Sequence, residues 1–465
     1  MVPRRRLSML CPMFLGSFLV GFGPVLAAAP SAQADSTVTV MTRNVYLGAD
    51  VGVALSLIPD MPGAAQSLWD QLRATDITSR APALAREIVA AKPDVLGMQE
   101  VASWECRAGL GGSTVVFDFL SLILDATRAA GVPYVVASAN GSEARNPGYS
   151  IPAIPFVTMV HDPATFQPLF GSDDAACGFS ISDVIAVRQD RASSVRAAGA
   201  VDYAETTALV PVIMVVPRGY AWADIEIDGA PTRFVSTHLE SFSSPGAVPP
   251  SAIQARQLVR DLGATSMPLV VMGDFNSDPR DPRDPGANPG EQPVVSEACP
   301  AQAGGDPTCS AYWTMVDAGF VDAGPDSADP ANLSWGGAAD LAGPDAARLD
   351  AARAMGNGVG FTDRLDYVFA SNYARIVTAH LVGEGWPDGA GMWSCGTRIC
   401  MASDHAGVVV RLAIATGVGI DRPPGPENSL PWGLIIRGGG LALGLSIGLI
   451  VIAVRRLRST TNPDG

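Results

Sequence analysis

The chain has 465 residues, of which 48% are hydrophobic and only 17% are charged, a composition too apolar for a disordered chain and rich enough to bury a large core. Acidic side chains outnumber basic ones by 46 to 31, which gives a formal net charge of -15, so no broad basic surface is expected for a nucleic acid to bind. The 49 glycines and 37 prolines follow no fixed period, which excludes collagen and predicts long loops.

The first residues carry the pattern of a removable export signal. Arginines at positions 4 to 6 precede an apolar run from Leu7 to Ala29, and Ala32-Gln33-Ala34 follows with the small-x-small form of a cleavage site. A first transmembrane helix is the weaker interpretation because no stop-transfer pattern follows the run. Residues 1–34 are therefore predicted to be a signal peptide.

The next part of the chain mixes strands and helices. Apolar runs predict strands, apolar stripes of helical period predict helices, and Asp228-Gly229 between two strand-like runs predicts a hairpin turn. In chain order, the predicted elements are a strand at Thr37–Thr42, a helix at Arg80–Ala91, a strand at Asp94–Met98 ended by Gln99-Glu100, a helix at Phe117–Ala130, extended segments at Tyr134–Ala137 and Asp183–Val187, hairpin strands at Ala221–Ile227 and Thr232–Thr237, a helix at Ser251–Leu262, a buried strand at Leu269–Met272 and an exposed, Asp-Pro-rich loop at Asp278–Glu291.

The last residues carry the pattern of a membrane anchor. Residues 438–454 are uncharged and apolar, and arginines at 455, 456 and 458 follow them. A helix from Trp432 to Val454 rises about 35 Å, enough for the roughly 30 Å hydrocarbon core. By the positive-inside rule the basic tail, residues 455–465, is cytoplasmic. A Pro/Gly-rich linker at 416–431 precedes the helix, so residues 35–415 are expected outside the cell on a single-pass membrane protein.

Charge and cysteine content describe the exported body. Residues 35–436 hold 24 basic and 45 acidic side chains, a net charge of -21. Their six cysteines are an even number in an oxidising compartment, which favours disulfides. A zinc site is disfavoured because no histidine stands near the cysteines at ligand spacing. Short spacings favour the pairs Cys299 with Cys309 and Cys395 with Cys400, leaving Cys106 with Cys177, although six cysteines admit other pairings.

Polar side chains that can bind metal ions or move protons stand at the ends of the apolar strands. Singly, each would be most simply a turn former or a helix cap. Two of only four histidines fall in this set, whereas His161 and His380 have no comparable carboxylate neighbour and are assigned to structure. The set comprises Asn44, Glu100, His238, Asp274, Asn276, Asp366, Asp404 and His405.

Around these side chains, six short motifs occur in a fixed order. The motifs are Met41-Thr42-Arg43-Asn44-Val45, Met98-Gln99-Glu100-Val101, Ser236-Thr237-His238-Leu239, Gly273-Asp274-Phe275-Asn276, Arg364-Leu365-Asp366-Tyr367 and Ser403-Asp404-His405. With them, the chain resembles the endonuclease/exonuclease/phosphatase superfamily, to which DNase I, the AP endonucleases and the bacterial neutral sphingomyelinases belong. The resemblance implies one α/β catalytic domain, a four-layer sandwich of two mixed β-sheets flanked by helices, with the active site at one edge.

The resemblance also implies a metal-dependent phosphoester hydrolase. Cleavage of a phosphodiester needs neutralised charge on the phosphate oxygens, an activated water and help for the leaving oxygen. Glu100, Asn44 and Asp404 offer the hard oxygen ligands that Mg²⁺ prefers. Mg²⁺ or another divalent cation is therefore the expected cofactor and would act as a Lewis acid.

Five further side chains are expected to be catalytic by the same resemblance. His405 would contact the phosphate or act as general base, with Asp366 hydrogen-bonded to it. Asp274 would position or deprotonate the attacking water. Asn276 and His238 would donate to the phosphoryl oxygens. The sequence does not say which group is base and which is acid. The candidates for the family's tyrosine near the scissile phosphate are Tyr134 and Tyr149.

Phospholipid head groups such as that of sphingomyelin are the preferred substrates, because export, a membrane anchor and an acidic body suit a lipid phosphodiesterase. In the interval between the last two motifs, bacterial sphingomyelinases carry an apolar hairpin that contacts the membrane. Apolar side chains in the same interval here fit either such a contact or a cover for the core. They are Trp386, Met392, Trp393, Ile399 and Met401.

Two other functions compete with this one. An extracellular Mg²⁺-dependent nuclease of DNase I type is the alternative, with nucleic acid as substrate only. It is disfavoured because Lys92 is the only lysine and the arginines are scattered. A catalytically inactive surface binding module is disfavoured by the six intact motifs. No protein partner is predicted.

Overall fold

The computed structural model describes residues 36–210, 214–242, 247–282, 298–300, 305–336, 341, 360–371 and 374–414. They belong to a compact unit that extends to Val418. The predicted signal peptide, linker, transmembrane helix and basic tail, and most of the Asp-Pro-rich loop, lie outside the described residues. Within the described ranges, no helix is long and apolar enough to cross a bilayer.

Seven α-helices lie in this part of the chain, and aspartate caps most of them. The side chains of Asp50, Asp60, Asp76, Asp118 and Asp162 each accept a hydrogen bond from a backbone N–H of the first helical turn, as N-caps do. Some of the acidic excess therefore serves helix ends. The helices are α1 Val51–Leu55, α2 Met61–Thr75, α3 Ile77–Ala91, α4 Phe119–Ala129, α5 Pro163–Phe170, α6 Pro250–Leu262 and α7 Ala311–Asp317.

The strands range from two-residue pairings to long ladders. They are β1 Ser36–Asn44, β2 Val95–Arg107, β3 Thr114–Asp118, β4 Tyr134–Val136, β5 Ser138–Ala139, β6 Ser142–Glu143, β7 Arg145–Asn146, β8 Ser150–Ile151, β9 Met159–His161, β10 Asp174–Arg188, β11 Val195–Asp202, β12 Thr207–Val210, β13 Met214–Val216, β14 Gly219–Ile227, β15 Ala230–His238, β16 Leu269–Asp274, β17 Val321–Asp322, β18 Asp366–Ala370, β19 Ala374–Val382, β20 Met392–Cys395, β21 Arg398–Met401 and β22 Gly407–Ile414.

Two mixed sheets organise the longer strands. The first has the order β19-β22-β1-β2-β10-β4, with β3, β7, β8 and β9 paired alongside, and the second has the order β11-β14-β15-β16-β18-β17. Each sheet contains one parallel pair, β1 with β2 and β15 with β16. The chain between parallel partners includes α3 in the first case and α6 in the second, as crossover connections require.

Alternation along the strands divides the apolar side chains into three cores. Val40 of β1 and Val270 of β16 lie in a core shared by both sheets. Met41, one residue along β1, lies in a second core with α2, α3 and α4. Val271, one residue along β16, lies in a third core with α6 and α7. The described part of the chain is thus arranged in four layers, in the order helices, sheet, sheet and helices, as the family resemblance implied.

Buried polar side chains join the two sheets near the predicted site. Thr42 Oγ1 donates to Gln99 Oε1 at 3.1 Å, and Gln99 Nε2 donates across the sandwich to Ser236 Oγ at 2.9 Å. The sheets meet closely here because β2 has a glycine at 97, where a Cβ would lie 3.1 Å from Ser236 Oγ. This contact fixes the motif strands relative to each other.

The predicted helices and strands form near their expected positions, with differences at α4, β2 and β10. The helix predicted from Phe117 begins at Phe119, because Phe117 and Asp118 belong to β3. The strand at Asp94–Met98 does not end at Gln99-Glu100 but runs to Arg107. The extended segment at Asp183–Val187 belongs to the longer β10. The predicted hairpin is β14–β15, and Asp228 and Gly229 of its turn have φ of 48° and 89°, as a tight hairpin turn requires. The structure contains the disulfides Cys106–Cys177, Cys299–Cys309 and Cys395–Cys400 that the spacings favoured.

Candidate active site

The predicted site residues meet at one edge of the sandwich because of strand direction. Both parallel pairs end there, β1 and β2 near Asn44 and Glu100, and β15 and β16 at His238 and Asp274. The antiparallel neighbours begin there, so Asp366 opens β18 opposite Asp274. Gly273 permits the close approach of β15 and β16, since a Cβ at this position would lie 2.1 Å from the carbonyl oxygen of Thr237.

Asp366 and His405 form a buried hydrogen-bonded pair. Asp366 Oδ2 lies 2.9 Å from His405 Nδ1 and also accepts from Ser334 Oγ at 2.7 Å. The carboxylate can only accept, so Nδ1 carries the proton and Nε2 is left facing Asp274 Oδ2 at 3.5 Å. Burial lowers the pKa of His405, but the carboxylates of Asp366 and Asp274 outweigh it and raise that pKa to about 10.

Asp274 is the centre on which the other groups converge. Its Oδ2 accepts from Asn44 Nδ2 at 3.0 Å and lies 3.5 Å from Nε2 of both His238 and His405, while Oδ1 accepts from the backbone N–H of Asn276 at 2.9 Å. Burial raises the pKa of Asp274 to about 7 against the opposing effect of His405. An ionisable carboxyl with that pKa can exchange a proton near neutrality.

His238 is held neutral by its neighbour Arg218. The Arg218 Nη1 donor lies 3.0 Å from His238 Nδ1, so Nδ1 accepts and the proton sits on Nε2, toward Asp274. Burial, and then the charge of Arg218, hold the pKa of His238 well below its usual value. Arg218 itself is paired with the buried Glu240 at 3.3 Å.

Glu100 reaches the site through a bulge in β2. Gln99 and Glu100 together stand opposite the single residue Asp183 of β10, where the register shifts, and Glu100 has φ of 56°. Bulges of this kind redirect a side chain and recur beside active sites. Glu100 Oε2 accepts from the backbone N–H of Leu47 at 2.8 Å. The predicted end of the strand at this point is therefore a bulge within it.

The donor set beside Glu100 suits a hard divalent cation. Burial raises the pKa of Asp404 to about 6, and the nearby charge of Glu100 adds to the rise. Burial also raises the pKa of Asp183, with Asp274 and Glu100 contributing. Carboxylates that raise one another's pKa are stabilised by a cation between them. Asn44 is oriented for such a site, since its Oδ1 accepts from the Tyr46 N–H at 3.0 Å.

A second group that could hold a metal ion comprises Asp274, Asp366 and His405, whose ligand atoms lie within 4.8 Å of one another. The direct bond between His405 and Asp366 already uses one ligand atom of each. This trio is therefore better suited to proton transfer, and the oxygens of Glu100 and Asp404 to a hard ion.

Two other side chains named from the sequence donate to backbone carbonyls. The Asn276 side chain donates to the Leu239 carbonyl at 2.7 Å, so its amide is held by the backbone. Tyr134 donates to the Pro93 carbonyl at 2.7 Å, at the strand ends away from the site. Tyr149, by contrast, is buried with its hydroxyl unpaired among the described residues, and the charges of Arg218 and Glu240 act on it. Of the two candidates, Tyr149 is therefore the one nearer the site.

Several site residues were not identified from sequence. Ser334 comes from a loop without a motif, and its Oγ also accepts from the backbone N–H groups of Leu365 and Asp366, both at 3.0 Å. Arg43 lies within a motif, yet its role was not predicted: it pairs with Glu87 at 2.8 Å and donates to the His405 carbonyl. The only signal for Arg218 was an isolated arginine between two apolar runs.

Most of the apolar side chains in and beside the β20–β21 hairpin cover the core. Trp386 and Trp393 pack against the cores and donate to the carbonyls of Ile399 and Met401 at 3.0 and 3.2 Å. Met392 and Met401 are buried, and only Ile399 is exposed, at 37%. The alternative, that these side chains cover the core, is therefore correct.

Comparison with known proteins agrees with the motifs. Residues 78–405 match the endonuclease/exonuclease/phosphatase family, whereas no curated protein matches the chain. Among solved structures, an endonuclease/exonuclease/phosphatase from Beutenbergia cavernae is 18% identical, covering 82% of this chain and 72% of that one, with a TM-score of 0.41.

Two further solved structures are similar at the same level. A family protein from Leptotrichia buccalis is 15% identical over 81% of this chain and 99% of that one, with a TM-score of 0.43. A mannosyl-6-phosphatase from Bacteroides thetaiotaomicron is 15% identical over 81% and 99%, with a TM-score of 0.40. On the family match over residues 78–405, the chain belongs to the endonuclease/exonuclease/phosphatase family of phosphoester hydrolases.

Proposed function

We propose that the protein is an exported, membrane-anchored, metal-dependent phosphodiesterase that acts on phospholipid head groups. The observation that carries the proposal is the convergence of His238, His405 and Asn44 on one oxygen of Asp274. A proton acceptor ringed by donors is what attack of water on a phosphate requires, because charge develops on both sides of the reacting phosphorus.

Each residue has a role that follows from its protonation. Asp274, with a pKa of about 7, orients the attacking water and takes its proton. His405, with a pKa of about 10, is an imidazolium whose Nε2–H donates to the phosphoryl or leaving oxygen. His238 is a neutral donor through Nε2. Asp366 and Ser334 hold the His405 ring in place.

Glu100 and Asp404, with Asn44, would hold the divalent ion that the family implies. When bound, the ion would neutralise phosphate charge as a Lewis acid. Among the described residues at this edge, Arg43, Arg218 and Arg364 are buried and engaged by protein groups, so these three are not available for that purpose.

The burial of these three arginines supports a lipid rather than a nucleic acid as substrate. A surface that follows a nucleic-acid backbone uses several exposed lysines or arginines, and here the site arginines are buried in a body whose net charge is -21. The only lysine, Lys92, caps the C-terminal end of α3. Export and the anchor at 432–454 would bring the domain to a lipid surface.

One assay separates the candidate functions. Purified residues 35–428 with Mg²⁺ are incubated with sphingomyelin, other phospholipids, inositol phosphates and plasmid DNA. Release of phosphocholine with intact plasmid is expected. Nicked plasmid without lipid turnover would replace the proposal with a nuclease of DNase I type, and hydrolysis of none of these substrates by a folded protein would contradict an active phosphodiesterase. Localisation is checked by protease accessibility of the domain on intact cells, which we expect to be complete.

A further inference from the structure

A lobe extends beyond the active-site edge on the long strands β2 and β10. β2 runs seven residues past Glu100, paired with the first half of β10 up to Arg107 opposite Ala176. At the rise of a strand, the lobe extends about 23 Å. The disulfide Cys106–Cys177 ties the two strands near its end.

An apolar cavity lies in this lobe. It measures about 40 Å³, and its walls come from α1, α2, β2, β10 and the segment 151–158. A space of that size is larger than one water needs, yet its walls offer almost no polar partner to a water. Several wall residues are only partly buried, so the cavity opens to the surface. The wall includes Val51, Leu55, Ile58, Met61, Trp104 and Ile151.

Exposed apolar side chains stand in two segments that also supply wall residues of the cavity. Val53 of α1 and Leu57, just beyond its end, are each 42% exposed, and Ile154 and Phe156 are 42% and 84% exposed. Seven of the twelve exposed large apolar side chains among the described residues lie between positions 53 and 169. The concentration sets this lobe apart from the rest of the described surface.

Phe156 is held outward by a closed turn. Its φ is 66°, a conformation that a bulky side chain adopts only at a cost. The turn is fixed by the N–H groups of Val157 and Thr158, which donate to the Ile154 carbonyl at 3.1 and 2.9 Å. An exposed phenyl ring is therefore presented at the tip of an ordered turn rather than on a loose loop.

The segments 51–69 and 146–160 of the lobe carry almost no charge, although residues 35–436 as a whole are strongly acidic. Between Asp50 and Asp70 the only charged residue is Asp60, and residues 146–160 include none. A partner that binds here gains nothing from opposite charge. The complementary surface is neutral and apolar, which is the character of hydrocarbon beneath zwitterionic head groups.

One residue connects the lobe to the active site. The backbone N–H of Leu47 donates to Glu100 Oε2 at 2.8 Å, and the Leu47 carbonyl accepts from Trp104 Nε1 at 3.2 Å. Trp104 is part of the cavity wall. A molecule with a phosphate at Glu100 and an apolar portion would therefore meet the lobe next.

We propose that Val53, Leu57, Ile154 and Phe156, together with the cavity that their chain neighbours line, form a membrane-contact surface that receives the hydrocarbon chains of a zwitterionic bilayer. The proposal rests on the lipid substrate class proposed above. It places the contact on the lobe of β2 and β10 rather than on the β20–β21 hairpin, whose only exposed large apolar side chain is Ile399.

Vesicle sedimentation tests the surface without turnover. The unit of residues 36–418, which has its own cores, is mixed with phosphatidylcholine vesicles. We expect the double variant Val53→Asp/Phe156→Asp to partition about tenfold less into vesicles than the parent. The control is Val321→Asp/Ile376→Asp, whose side chains are 47% and 40% exposed on strands at the opposite end of the sandwich; it should bind like the parent. Thermal unfolding checks that all three proteins are folded.

Four results would overturn the surface: no binding by the folded parent, equal binding by both double variants, a gain in binding when phosphatidylserine is added, or a parent dimer in solution that Val53→Asp/Phe156→Asp dissolves. The last would identify a second copy as the occupant. Binding without hydrolysis of any lipid would contradict the proposed function alone. Hydrolysis of detergent-dispersed lipid, with unchanged vesicle binding by the lobe variant, would contradict this surface alone.

Discussion

Arg218 fixes the proton of His238. The guanidinium donates to Nδ1 at 3.0 Å, and the opposite ring nitrogen, Nε2, lies 3.5 Å from Asp274 Oδ2. A charged donor beside Nδ1 excludes a second proton there, so the ring presents one N–H to the reacting centre without adding charge. His405 differs because its Nδ1 faces a carboxylate instead. The group at Nδ1, a guanidinium for His238 and a carboxylate for His405, thus gives the two histidines of one site different charge states.

This difference predicts how stability depends on pH. Because burial and Arg218 lower the pKa of His238 in the folded protein, the unfolded chain alone takes up a proton there below about pH 6.5. His238 therefore makes its full contribution to the free energy of unfolding above that pH, and the contribution is lost as the pH falls. Between about pH 7.5 and 5.5 the thermal midpoint should drop less in His238→Gln than in the parent. The thermal midpoint of His380→Gln, a change at an exposed position, should drop as much as that of the parent. Equal drops in all three proteins would contradict the assignment.

Removal of the His405 imidazole should abolish activity. General acid–base groups contribute about 10²- to 10⁴-fold to rate, so we expect His405→Ala to lower kcat by at least that range, measured on the substrate that the parent hydrolyses. Asp366→Asn should lower it as well, since a neutral amide no longer stabilises the imidazolium of His405. His161→Ala, at an exposed histidine paired with Asp174, serves as the matched control. Full activity of His405→Ala would disprove the site.

Ser334 should prove to be a positioning residue. Its hydroxyl donates to Asp366 and accepts from two backbone N–H groups. Ser334→Ala leaves buried groups unpaired and should cost about 1–3 kcal/mol in the free energy of unfolding, measured with urea. It should also lower kcat without a matching change in KM, because the Asp366–His405 pair loses its support. Ser113→Ala, an exposed serine bonded to Glu105, should alter neither quantity.

Loss of either partner of the buried Arg43–Glu87 ion pair should strongly lower the free energy of unfolding. The side chains are 1% and 0% exposed, and loss of one partner of a buried pair costs about 3–5 kcal/mol. We expect that loss for Glu87→Ala in chemical unfolding. Asp125→Ala removes the exposed pair with Arg128, whose side chains are 68% and 58% exposed, and should cost under about 1 kcal/mol. Similar losses for the two variants would show that burial does not govern this pair.

A divalent ion should stabilise the folded protein through Glu100. Ligand that binds only the native state at about 100 times its Kd adds about 2.7 kcal/mol, so Mg²⁺ should raise the thermal midpoint and EDTA should remove both that gain and the activity. Glu100→Gln should lose most of the shift. Glu105→Gln, five residues along the same strand, should keep it. An equal Mg²⁺ shift in the two variants would place the ion elsewhere.

Strand ends could be predicted because apolar runs are local. The side chains at 44, 238, 274 and 366 follow or open such runs, and the topology brings them together. Partners that stand outside the predicted runs were not identified. The Asp228-Gly229 turn fixes the β14–β15 register, with Tyr220 opposite Thr237, but Arg218 stands before the predicted strand at Ala221–Ile227 and carries no motif that marks it as a partner of His238.

The lobe illustrates a second limit. Beyond Glu100, β2 alternates buried and partly buried positions that include a serine and a glutamate, so the continuous apolar signal of its first half disappears. A bulge at the junction also shifts the alternation by one. The role of the hairpin at 392–401 could not be decided from sequence, because apolar content alone does not distinguish a covering side chain from an exposed one.

The two ends of the described domain leave from the same pole. Ser36 of β1 pairs with Ile414 of β22, eight residues, or about 26 Å of strand, from Asn44 at the reacting edge. The chain therefore enters and leaves the described domain at the pole opposite the reacting edge. Cutting either extension should leave the chemistry intact, so a tethered and a shed form would be one enzyme with two ranges of action.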